Sequence, residues 1–135
     1  MVNLITNDET IEEFVYTTLY NLGIFDEGFD LNIEMRSKID KHETQGLCFG
    51  DEDDIDVQIS RTMHGERLKW EELLSNLAHE LVHVKQHVTG ELDRNHLWYG
   101  KCYKSVDYMD KPWEVEAYSK EKALVDMYLK MKGLK

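Results

Sequence analysis

The chain predicts an α+β domain, and three observations carry that expectation. Two early segments alternate apolar and polar residues with a period of two. The stretch from Glu66 to Val88 holds neither Pro nor Gly and repeats its apolar residues at helical spacing. A last helical segment opens at Pro112. At 135 residues the chain reads as one domain, residues 1–135, able to bury a core without covalent or metal staples.

The elements follow in order. Thr10-Ile11-Glu12-Glu13 has the form of a capping box, which predicts a helix from Ile11 to about Leu22, closed by Gly23. Phe29, Leu31, Ile33 and Met35 alternate with Asp30, Asn32, Glu34 and Arg36, and Ile55, Val57 and Ile59 alternate with Asp56, Gln58 and Ser60. Each is a strand with one buried face, and Thr44 to Phe49 offers a shorter one between them; the sheet is expected to be small and mostly antiparallel. In the central helix Leu73, Leu77, Leu81, Val84 and Val88 form one apolar stripe, and Gly90 supplies a stop. The aromatic stretch Leu97-Trp98-Tyr99-Gly100 with Cys102-Tyr103 fits a hairpin. Asp110 or Lys111 then caps a final helix, in which Trp113, Ala117, Leu124, Tyr128 and Met131 form the core stripe before Gly133.

Composition narrows the function. Hydrophobic content of 41% beside 32% charged residues describes a soluble globular chain. No apolar run approaches the roughly 20 residues that span a bilayer, and the N-terminus lacks the basic and apolar regions of a secretory signal. Cys48 and Cys102 form neither a CxxC pair nor a disulfide framework, so a reducing cytoplasm is the expected setting. A net charge of −11 argues against a nucleic-acid partner, because phosphate binding needs a basic surface. The run Asp51-Glu52-Asp53-Asp54 lacks the glycine and the terminal glutamate of an EF-hand and reads as a solvated loop.

His79-Glu80-Leu81-Val82-His83 carries the chemistry. Four residues are close to one helical turn, so both imidazoles leave the same face and can grip one ion, opposite the apolar stripe. Glu80 stands beside that face, placed to take a proton from a water molecule. Asn76, Ser75 and Gln86 share the histidine side.

A catalytic zinc needs a third protein ligand. The candidates downstream are His87, Asp93, His96, Asp107, Asp110, Glu114 and Glu116. His87 lies about 6 Å further along the helix axis than His83, too far for one ion to reach all three histidines, and is expected at the rim or surface. Glu114 is the better candidate: it falls in the first turn of the final helix, and Ala117, on nearly the same face, lets two helix backbones approach. Glu116 is turned about 200° from Glu114, so both cannot face one ion.

With these residues in place, the chain resembles the gluzincin branch of zinc metallopeptidases, in which a glutamate from a later helix completes an HExxH site. It is similar above all to minimal gluzincins and to small phage and bacterial proteins carrying HExxHxxQ and PWExEA. The matching residues are Gln86, Trp98-Tyr99-Gly100 and Pro112-Trp113-Glu114-Val115-Glu116-Ala117, and the likeness covers roughly residues 66–121. It departs at Tyr118, where many relatives place an Asp or Asn that orients a ligand histidine; here that support falls to Glu116, Glu121 or a backbone carbonyl.

The resemblance implies a compact zincin-like domain, Zn²⁺ held by His79, His83 and Glu114, and peptide-bond hydrolysis with Glu80 as general base and a peptide or protein as substrate. A further donor for the oxyanion is expected, from Tyr103 first, with Tyr99, Tyr108 and His96 as alternatives. Two rival readings stand beside it. One is a zinc-stabilised module that binds without turnover, such as a phage protein gripping a host factor in the host cytoplasm. The other is an acidic mimic of nucleic acid in which HExxH is incidental.

Overall fold

The computed structural model describes residues 1–6 and 8–134. Four strands make the principal sheet: β1 (Val2–Ile5), β2 (Asp30–Arg36), β3 (Gly46–Gly50) and β4 (Asp54–Ser60), in the order β1-β2-β4-β3. The alternation in β2 and β4 does what its period requires. Leu31, Ile33, Ile55, Val57 and Ile59 are buried on one face, and Asp30, Glu34 and Asp56 lie on the other.

Helix α1 (Glu9–Asn21) connects β1 to β2, and such a crossover leaves the two strands parallel. β2 and β4 are also parallel, whereas β3 pairs antiparallel with β4. Antiparallel pairing prevails once two short hairpins are counted, β5 (Thr62–Met63) with β6 (Glu66–Arg67) and β7 (Leu97–Trp98) with β8 (Lys101–Cys102). The parallel part of the sheet follows from β1, whose four residues are too few to show a clear alternation.

The acidic run is a structured turn. Asp51 Oδ1 accepts from the backbone N–H groups of Asp53 and Asp54 at 2.9 and 3.0 Å, and Asp54 already belongs to β4. Gly50 is required beside it: its φ is +143°, and a Cβ there would collide with the Asp54 carbonyl oxygen.

Helix α1 buries Ile11, Phe14, Val15, Thr18 and Leu19. Its cap differs from the expected box. Asp8, not Thr10, accepts the first free N–H groups, from Thr10 at 2.9 Å and Ile11 at 3.3 Å. Glu13 is engaged elsewhere, accepting from the Tyr128 hydroxyl at 2.8 Å and pairing with Lys132 at 2.9 Å.

Helix α2 (Trp70–Val88) starts four residues later than its sequence pattern suggested. His64 and Gly65 both have positive φ, 52° and 77°, and so make a two-residue hairpin turn whose second strand takes up Glu66 and Arg67. Helix α3 (Pro112–Met131) packs along α2. Lys111 holds its cap position without a side-chain bond, Asp110 lies in a preceding 3-10 turn (Tyr108–Asp110), and Pro112 takes the first helical position. Leu124, Val125, Tyr128 and Leu129 are buried, while Met131, expected in the core stripe, is 56% exposed at the last residue of the helix. No helix among the described residues is long and apolar enough to cross a membrane.

Candidate metal centre

α2 is buried on both sides. Leu74, Leu77, Leu81 and Val84 face the core, and His79, Glu80, His83 and Gln86 are buried as well, beneath α3. Ala117, fully buried, is the small residue at that contact, as its position after Glu114 implied.

His79, His83 and Glu114 come together. His79 Nε2 lies 3.0 Å and His83 Nε2 3.2 Å from the same carboxylate oxygen, Glu114 Oε1. The three donor atoms are within 4.8 Å of one another, and no other such group of His, Cys, Asp or Glu forms among the described residues. Zinc bonds of 2.0–2.1 Å put tetrahedral donors about 3.4 Å apart, and both histidine-to-Glu114 separations lie within a few tenths of an ångström of that.

The far side of each ring is also held. His79 Nδ1 meets Glu121 Oε2 at 2.9 Å, and His83 Nδ1 meets Gln86 Oε1 at 2.7 Å. Tyr118, at the position of the missing Asp or Asn, instead packs its ring against His79 with centroids 4.4 Å apart. Glu116 points away from the triad, as the helical phase required: it accepts from Lys85 at 3.1 and 3.2 Å and from Gln86 at 3.0 Å. His87 is not at the rim. It is buried, with Nδ1 3.2 Å from the Leu92 carbonyl, because the chain folds back over the end of α2.

Burial works against charge on both imidazoles, but hydrogen bonds to Glu114 and the charge of Glu80 outweigh it and raise both above the ordinary histidine range. Burial also acts to raise Glu114, yet the bonds from His79 and His83 prevail and hold it down to about 2. Glu80 goes the other way. Burial dominates the attraction of the histidines and lifts its carboxyl above the usual carboxylate range.

Beside the triad opens a cleft of about 350 Å³. His79, Glu80 and Glu121 form one wall, Tyr108 and Tyr118 another, and Glu43, Thr44, Gln45 and Gly46 a third, with Asn76 between. Glu80 has no hydrogen-bond partner among the described residues, so its carboxylate is free to act. Gly46 lets it lie there: a Cβ at this position would stand 2.9 Å from Glu80 Cγ. Asn76 Nδ2 donates to Gln45 Oε1 at 2.6 Å, tying α2 to the segment that enters β3. Ser75 lies away from the cleft, facing Val125 and Asp126 of α3.

The tyrosine at the cleft is not the one expected, and it comes from the 3-10 turn after the aromatic hairpin. Tyr103 packs edge-on against Trp113, centroids 6.2 Å apart, and is not among the cleft residues. Tyr99 bonds Glu91 and is 71% exposed, and His96 lies against Trp113. Tyr108 is the one of the four that lines the cleft; it is 57% exposed, and partial burial together with the charge of Glu114 raises its hydroxyl above the ordinary phenol range. Sequence spacing carried no signal for this, since the 3-10 turn that presents Tyr108 has no periodicity to read. No family model, curated protein or solved structure matches the chain.

Proposed function

We propose that this protein is a zinc-dependent peptide hydrolase of gluzincin type, working in a reducing compartment in keeping with its two free cysteines. The observation that carries the reading is the convergence of His79 Nε2 and His83 Nε2 on one Glu114 oxygen, with the unpartnered Glu80 on the adjoining cleft wall. His79, His83 and Glu114 would hold the ion, which would supply an acidified water and a polarised carbonyl. Glu80 takes the proton from the attacking water and passes it to the leaving amine. Tyr108 stays protonated and donates to the oxyanion that develops on the substrate carbonyl. β3 is an edge strand of the sheet and its entry, Thr44 to Gly46, lines the cleft, so an extended peptide can lie along that edge.

Cleavage of a broad peptide library by the zinc-loaded protein, wild type beside Glu80→Gln, tests this. Gln is isosteric but cannot act as a base, so the variant should keep the metal and lose about 10²–10⁴-fold in rate. Equal cleavage by both removes Glu80 from the mechanism. Zinc uptake by both, with no cleavage by either, favours the binding module without turnover.

A further inference from the structure

We propose that Gln86 fixes the ring orientation and tautomer of His83 for metal binding, and that Glu116 is the lock on Gln86. The inference rests on the metal-site reading above and not on hydrolysis.

An amide side chain can be turned either way, donor for acceptor, so the orientation has to be imposed by its neighbours. Gln86 is fully buried. Its Nε2 donates to the Trp113 carbonyl at 2.9 Å and to Glu116 Oε1 at 3.0 Å. Both partners only accept, so a flipped amide would set its oxygen against two other oxygens at a side chain that is itself closed to water. The flip is excluded. Gln86 Oε1 must therefore face His83 Nδ1, which it does at 2.7 Å.

An obligate acceptor at that distance requires the proton on Nδ1. When His83 is neutral its lone pair is then on Nε2, the atom aimed at Glu114 Oε1. The lock is itself held: Glu116 accepts from Lys85 and Lys120, and Lys85 is paired in turn with Glu91 at 2.7 Å.

The two ligand histidines are thus oriented by different means. His79 leans on Glu121, a carboxylate that accepts whichever way it turns. A carboxylate could not replace Gln86, because it would press against Glu116 and the Trp113 carbonyl with no proton between them. The same pairing explains why Glu116 matters to a site it does not touch: its effect on His83 passes through one amide.

The zinc-loaded full chain provides the test. Long-range ¹H–¹⁵N spectra of the wild type should show His83 protonated on Nδ1, and competition titration with a zinc-sensitive dye should show Gln86→Leu binding zinc about 10–100-fold more weakly. Gln86→Glu should also weaken binding. Adding Glu116→Gln to it should restore part of the affinity, since the amide at 116 then donates to the carboxylate at 86 and His83 still meets an oxygen, while the Trp113 carbonyl stays without its donor. Should Gln86→Leu fail to fold, this near-isosteric pair decides. A His83 protonated on Nε2, a Gln86→Leu that binds like wild type, or a double variant no better than Gln86→Glu overturns the proposal. A wild type that takes up no zinc overturns it together with the metal site. Weakened zinc binding by Gln86→Leu supports it even if no peptide is cleaved.

Discussion

The two faces of α2 are buried to a similar degree by opposite means. Leu74, Leu77, Leu81 and Val84 are 0% exposed on one side, and His79, Glu80, His83 and Gln86 are 8%, 6%, 7% and 0% exposed on the other. The apolar face gains stability in proportion to area removed from water, and any neighbour of suitable shape serves. The polar face gains only where each donor meets its acceptor, since a buried polar group without a partner costs about 1–3 kcal/mol. One face tolerates approximate packing. The other, Glu80 on the cleft apart, is a chain of specific pairs, and the loss of any one leaves a buried group stranded.

The largest expected effect breaks both faces in parallel. Leu77→Ala should destabilise the fold by about 2–5 kcal/mol through transfer and cavity terms, while zinc affinity per folded molecule stays near that of wild type. Glu114→Ala should cost about 3–5 kcal/mol in the metal-free protein, because both histidines lose their buried carboxylate, and should also abolish tight zinc binding. Chemical denaturation with and without zinc measures the pair. If Glu114→Ala keeps wild-type zinc affinity, Glu114 is not a ligand.

The same contrast governs what could be read from the chain. Helical and strand periodicity are written in apolar residues, so β2, β4, α2 and α3 were legible, as was the stripe of α2 opposite its histidines. HExxH named His79, Glu80 and His83, and the helical phase of Glu114 against Glu116 followed from 100° per residue. What escaped depends on left-handed residues or on partners far apart in sequence. The hairpin at His64-Gly65 trimmed the start of α2, and four residues were too few to announce β1. Glu121, bonded to His79 across 42 positions, was named only as one of several possible supports, and Tyr108 only as one of several tyrosines. Asp8 displaced the expected cap because Glu13 had a better use against Tyr128.

A pH series sharpens the comparison, since only the polar face carries groups that titrate. Glu114 is lowered to about 2 from an ordinary 4.5, so its contribution to stability is present above 4.5 and lost as the pH falls through about 2. His79 and His83 are raised above an ordinary 6.5, so theirs is complete below 6.5 and lost as the pH rises through the raised values. Glu80, raised by burial, works against the fold as it ionises above an ordinary 4.5, so the metal-free site should contribute most at the acid end of the span from about 4.5 to 6.5 and lose strength on the alkaline side. Zinc should reverse the alkaline trend, because binding displaces the Nε2 protons and grows tighter as they leave. Melting temperatures across the range, with chelator and with zinc, measure both slopes. In Glu114→Gln the alkaline loss should flatten, as the histidines are no longer held charged; an unchanged slope would assign it to other groups.

The smallest effect tests whether the rule of the polar face also holds inside the apolar core. Thr18 is fully buried on α1 among Phe14, Val15 and Leu19, and its hydroxyl oxygen has no hydrogen-bond partner among the described residues. Every polar side chain beneath α3 that meets the His79–His83–Glu114 cluster is either paired or opens onto the cleft; Thr18 is neither. Val has nearly the same shape and the same branching at Cβ, so Thr18→Val removes the stranded group without opening a cavity. A gain of about 1 kcal/mol is expected, at the low end of the cost of an unsatisfied buried hydroxyl. Zinc affinity should not move, since α1 contributes nothing to the triad. Urea denaturation of the two proteins side by side reads the difference, and a Thr18→Val protein less stable than wild type would mean that the hydroxyl has a partner, a bound water being the simplest, that the valine displaces.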